Sequence, residues 1–265
     1  MRRGNSREWS FALEQELGVA LIGSARLERV EDLSEAVGRS ASEHGTPVAD
    51  HAWVIKANLG MAARERVLGR GPKLTAAQRG WLRGKLKTDG AVFFEPWLRR
   101  SEEIGIQWTL PPLGRGAPQL AGITRLLCDL QGRYLGSEFS LDLSIPPQWQ
   151  HAVEICEQAA KRLQTLGYFG PLGIDAVIYE DAQGNAQARP LQDINARHTM
   201  GRLALGFRHQ LQVGERGVWR HGRCGELVPT ENVIATRAID LIPQLVGDHR
   251  PTHGSRLAIY GKHSD

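Results

Sequence analysis

Apolar and polar positions follow two different periods along this chain, and strand-like and helix-like runs alternate throughout. The clearest helix lies ahead of Gly167. Val153, Cys156, Ala160 and Leu163 recur at i, i+3, i+7 and i+10, giving one apolar stripe, and Pro146-Pro147 sits at its start. Residues 8–17, 29–44, 198–211 and 231–245 carry further helical patterns, the last with Thr230 as N-cap. A helix over 76–87, capped by Thr75, would place Arg79, Arg83 and Lys87 on one stripe, weakened by Gly80 and Gly84.

Strands are expected at 53–57, 91–95, 104–110, 120–129, 133–139, 174–180 and 186–194. Two hairpins punctuate them, at Leu130-Gln131-Gly132 and at residues 181–185. Pro190 cannot donate to a ladder, so its strand is an edge or carries a bulge. Residues 60–71, with three glycines and Arg64, Arg66 and Arg70, read as a mobile loop. Hairpins outnumber βαβ units, which favours an α+β fold over a doubly wound parallel sheet.

Composition changes this picture little. The 265 residues are 41% hydrophobic, enough for a substantial core. No run approaches the roughly 20 apolar residues of a membrane span, and the N-terminus lacks the apolar stretch of a signal peptide. Cys128, Cys156 and Cys224 are odd in number and far apart, which fits a reducing cytoplasm rather than a disulfide framework. Charge is more informative. The net +4 is concentrated between Ala62 and Lys87, where eight Arg or Lys residues accompany one acid, Glu65. Such a segment suits an anionic partner or a solvated basic face. Nucleic acid ranks last as that partner, because Trp81 is the segment's only aromatic and no RNA-binding signature is present.

The chemistry concentrates in the second hairpin. If Glu180 pairs with Ala186, residues 173 and 193 lie opposite each other, and Asp175, Asp193 and Asn195 share one face. Two carboxylates and an amide oxygen are hard ligands suited to Mg²⁺, or to Mn²⁺. In an isolated pattern, plain solvent-facing strand residues would explain them as well.

The hairpin is not isolated. Trp53-Val-Ile-Lys56, Phe93-Phe-Glu95-Pro-Trp97-Leu98, Gly170-Pro-Leu-Gly-Ile-Asp175 and Asp193-Ile-Asn195-Ala-Arg197 occur in that order. The series resembles the ATP-grasp superfamily of carboxylate–amine ligases over roughly residues 5–210. The resemblance implies two α+β subdomains, 1–97 and 98–265, sandwiching ATP. It further implies that the usual N-terminal Rossmann-like domain is missing, and that a partner would supply it if the chain is one subunit of a larger enzyme.

Carried residue by residue, Lys56 resembles the strand lysine on the ATP phosphates. The loop 58–70 resembles the phosphate loop, with Arg64 among its contacts. Glu95, Trp97 and Leu98 fall at the adenine hinge, with the three aromatics there expected in the core. Glu103, or its neighbour Glu102, falls where a ribose-binding acid stands. Arg7 replaces an early phosphate-binding lysine, keeping charge but not shape. Asp175, Asp193 and Asn195 match the metal ligands, and Arg197 the catalytic arginine near the transferred phosphate. The implied reaction joins a small carboxylate to an amine or thiol through an acyl phosphate. One departure matters: the family usually has Glu where this chain has Asp193, one methylene shorter. A nucleotide-binding module without ligase activity is the alternative that this departure raises.

Overall fold

The computed structural model describes residues 2–60, 65–223, 227, 235–241 and 251–261. The chain forms two compact units: residues 1–102 with 176–194, and residues 103–175 with 195–265. A single cut after residue 97 does not describe this division, because 176–194 returns to the first unit.

In the first unit, β1 (Ala25–Leu27), β2 (Ala52–Ala57), β3 (Arg66–Arg70) and β4 (Val92–Pro96) form an antiparallel sheet in the order β1-β4-β2-β3. Alternation along β2 separates two faces. Trp53 and Ile55 join Phe94 in a core with Leu33, Ala36 and Val37 of α2 (Asp32–Glu43) and Leu82 of α3 (Ala76–Asp89). Val54 and Lys56 point the other way. Val54 pairs with Glu95 and Lys56 with Phe93, so Lys56 and Glu95 are diagonal neighbours on that second face. Helix α1 (Arg7–Glu16) supplies Phe11, whose ring lies 5.6 Å from that of Phe93.

One expectation changes here. Residues 66–70 are strand β3 rather than loop, while 61–64, including Arg64, lie outside the described residues. The glycines misled. A Cβ on Gly69 would stand 2.1 Å from the Trp53 ring, so this glycine makes room for an indole instead of marking a turn. Helix α3 forms as expected, and Thr75 and Gln78 complete a capping box at its start. Arg79, Arg83 and Lys87 are all exposed.

The second sheet runs in the order β11-β12-β10-β7-β6-β5-β8-β9. Its strands are β5 (Arg99–Leu110), β6 (Gln119–Cys128), β7 (Tyr134–Ser140), β8 (Gly170–Glu180), β9 (Ala186–Asn195), β10 (Arg216–Arg223), β11 (Arg237–Asp240) and β12 (His253–Tyr260). Strands β8 and β9 carry the chain from one unit to the other. Pro190 lies on β9, an edge strand, as its missing N–H requires. Both predicted hairpins close with a glycine at positive φ, Gly132 at 69° and Gly184 at 82°.

Helix α4 (Gln150–Thr165) buries its whole predicted stripe, Val153, Cys156, Ala160 and Leu163. Helix α5 (Met200–Gly206), extended by a 3₁₀ turn at Phe207–Gln210, packs Ala204 and Leu205 against Phe139, Trp219, Leu257 and Ile259. The helix expected over 231–245 is not what the described part shows. Arg237–Asp240 is strand β11, antiparallel to β12, while Thr230 and the rest of the cap lie outside the described residues. No helix among the described residues is long and apolar enough to cross a membrane.

Candidate functional site

In the first unit, the face of β2 and β4 that carries Lys56 and Glu95 gathers a buried ionic cluster. Lys56 Nζ donates to Glu95 Oε2 at 2.6 Å. Arg189 of β9 donates to the same oxygen at 2.7 Å through Nη1, which also reaches Gln192 Oε1 at 2.7 Å. The other end of the guanidinium, Nη2, lies 3.3 and 3.2 Å from the two carboxylate oxygens of Glu14 on α1. Lys56, Glu95, Glu14 and Arg189 are all buried. Arg7 closes the group: Nη1 stands 3.9 Å from Glu95 Oε1, and Nη2 donates to Asp193 Oδ1 at 3.2 Å.

Three cations and three carboxylates thus balance. Charges out of water survive only when paired and hydrogen-bonded in this way. Titration follows the same logic. Burial would raise the Glu95 carboxyl, but Arg189 and Lys56 outweigh it and hold it well below the usual range. Burial keeps Glu14 above its ordinary value despite Arg189. Burial, aided by Arg7, pushes Lys56 down to about 8. Lys56 therefore remains mostly charged at neutral pH and sits close to losing its proton.

The hinge residues divide. Phe93 and Phe94 are core, as expected, but Trp97 is half-buried with two guanidinium groups near its ring, Arg66 at 5.7 Å and Arg100 at 4.8 Å. Leu98 packs on Leu21, Val177 and Tyr179.

In the second unit, Asp175 in the middle of β8 and Asn195 at the end of β9 approach each other, with Asn195 Nδ2 3.5 Å from Asp175 Oδ2. Arg197 is exposed and donates to Asn195 Oδ1 at 2.7 Å. That oxygen keeps a second lone pair, and the Asp175 carboxylate is half-buried. An oxygen-only set of this kind fits a hard divalent cation. Among the described residues, no three His, Cys, Asp or Glu side chains gather as a metal cluster. Glu103 also belongs to this unit, on β5.

Below these residues the backbone is held by close contacts. A Cβ on Gly173 would fall 2.4 Å from Thr199, and one on Gly201 2.7 Å from Thr124. Thr199, the N-cap of α5, also donates to Gln107 Oε1 at 2.7 Å. These packed glycines bring β8 and α5 close to Thr199, Gln107 and Thr124 near Asp175 and Arg197.

Sequence reasoning missed Arg189 and Glu14. Both carried a signal. Arg189 has the same strand parity as Asp193 and Asn195. Glu14 lies among the buried positions Ser10 and Leu13 of α1, where a lone acid requires a partner.

Neither a family model nor a curated protein matches the sequence. Solved structures do match in fold. The biotin carboxylase domain of Hydrogenobacter thermophilus 2-oxoglutarate carboxylase, in complex with MgADP, ADP and bicarbonate, superimposes with a TM-score of 0.60 at 15% identity. The match covers 98% of this chain and 62% of that one. Campylobacter jejuni biotin carboxylase, in a β,γ-ATP complex, gives 0.59 at 14% identity, over 98% and 63%. Staphylococcus aureus N5-carboxyaminoimidazole synthetase complexed with ADP gives 0.54 at 12% identity, over 83% and 57%. The chain thus spans about three fifths of the length of these structures. Mixed antiparallel sheets, the order of the motif strands and these superpositions agree: the chain has the ATP-grasp fold.

Proposed function

We propose that the chain binds ATP with Mg²⁺ or Mn²⁺ and is an ATP-dependent ligase joining a small carboxylate to an amine or thiol through an acyl phosphate. The observation that carries this reading is the buried Lys56–Glu95–Arg189 cluster, with Arg7 beside it, on an ATP-grasp fold.

The cluster explains how a buried lysine can serve a phosphate. Lys56 and Arg189 share one oxygen of Glu95. When Lys56 turns to a triphosphate, Arg189 still compensates Glu95, so no carboxylate is left buried and unpaired. Arg7 adds a second cation on the same side. Asp175 and Asn195 supply oxygen donors for the cation, and the sequence pattern adds Asp193. The ion, when bound, neutralises phosphate charge. Arg197 stabilises charge on the transferred group. Catalysis is then positioning and electrostatic stabilisation, with no side-chain nucleophile. Backbone groups of the hinge Glu95, Trp97 and Leu98 contact adenine, Glu103 the ribose, and Arg64 the phosphates.

ADP release measured against a panel of carboxylic acids with amines or thiols tests the reading. Turnover should require one member of each class and should vanish in Lys56→Ala and Asp193→Ala. Near-normal turnover in Asp193→Ala would remove Asp193 from the metal set.

One observation favours a second reading, a nucleotide-binding module without turnover that works with a partner. Asp193 is shorter than the usual glutamate and is engaged by Arg7 at 3.2 Å. ATP would then raise the melting temperature while no substrate pair releases ADP.

A further inference from the structure

The second unit holds two arginines that the ATP reading does not use. Arg202 lies on α5, and Arg208 on the 3₁₀ turn that follows it. Arg202 Nη2 donates to Thr109 Oγ1 at 3.0 Å, and Arg208 Nη1 to the Ala121 carbonyl at 3.2 Å. Neither forms an ion pair with a carboxylate among the described residues. Each also keeps a buried donor without an acceptor, Nη1 of Arg202 and Nε of Arg208. A guanidinium does not escape this by losing its proton. Burial and the neighbouring Arg202 charge both press on Arg208.

The backbone makes room for the arrangement. Gly122 on β6 has φ 141°, and a Cβ there would stand 2.5 Å from Arg208 Nη2. Two like charges, two unmet donors and a glycine cradle are an unfavourable combination unless something completes it. An oxyanion supplies both the counter-charge and the acceptors, and planar guanidinium forks match carboxylate and phosphate geometry.

We propose that Arg202 and Arg208 form a binding site for an oxyanion, a carboxylate or phosphate group on a small acidic ligand. The pair uses none of the residues assigned to nucleotide, and its test does not depend on whether the chain binds ATP.

Calorimetric titration of the full chain with inorganic phosphate, and separately with malonate, at constant ionic strength set by chloride, tests it. At least one anion should bind at a single site, phosphate marking a phosphoryl ligand and malonate a carboxylate ligand. Arg202→Gln and Arg208→Gln should each weaken binding at least about tenfold. The Nε–Hε resonance of Arg208 in the unsubstituted protein should shift in step with the heat, which locates the site even if a variant folds poorly. Absence of binding by both anions, binding that survives both substitutions, or an Arg208 resonance that does not move would overturn the proposal.

Discussion

Arg189 Nη1 and Glu95 Oε2 are 2.7 Å apart with both side chains buried, and the same glutamate oxygen accepts Lys56. The arginine also holds Glu14. It is therefore the group that keeps two buried carboxylates compensated, and the one whose loss should be felt most.

Arg189→Met should lower unfolding free energy by about 3–5 kcal/mol, the range for removing one partner of a buried ion pair. Adding Glu14→Gln should recover part of it, because one stranded charge is removed as well. Urea denaturation of the single and double variants checks this. Equal stability of Arg189→Met and the unsubstituted chain would contradict the charge balance described for the cluster.

Lys56 gives a pH signature. Its free-state value near 8 is depressed by burial, and a phosphate ligand stabilises the charged form. ATP affinity should therefore be flat below about pH 8 and fall as pH rises through it, because binding must then take up a proton. Lys56→Arg, which stays charged, should flatten the profile even if overall affinity changes. Binding measured from pH 6.5 to 9.5 decides; an unchanged slope in the arginine variant would remove Lys56 from the phosphate site.

Asp193 offers a gain-of-function test. Asp193→Glu restores the longer acid and should raise affinity for Mg²⁺ in the presence of ATP, measured by metal titration of nucleotide binding. A fall in metal affinity would show that the aspartate is matched to this chain's own geometry, with Arg7 as its partner.

Thr75→Ala removes the capping box of α3 and should cost about 1 kcal/mol in thermal or urea unfolding. Nucleotide binding should be unaffected.

Periodicity made much of this molecule legible. The stripe of α4, the two glycine-closed hairpins, the edge position of Pro190 and the Thr75 cap all follow from local physics and are all present. Glycine-rich segments were harder. Gly69 in β3 serves a tertiary contact with Trp53, which no local pattern around residues 60–71 reveals. Residues 237–240 read as helix but pair with β12, a partner distant in sequence. In the candidate site, the motif residues Lys56 and Glu95 were visible and meet as diagonal sheet neighbours. Arg189 and Glu14 carried only the weak signals of strand parity and helix position, because a buried charge is specified by its partner, and theirs lie far along the chain.

On the proposed function, the chain binds nucleotide through its cation-lined cluster with help from a divalent metal. Equilibrium titration of the full chain with ATP, in Mg²⁺ and again in EDTA, tests it most directly. One ATP should bind in Mg²⁺, with affinity reduced at least about tenfold in EDTA and in Asp175→Asn. No detectable binding at millimolar ATP in either condition, by a protein that melts cooperatively, would contradict the claim.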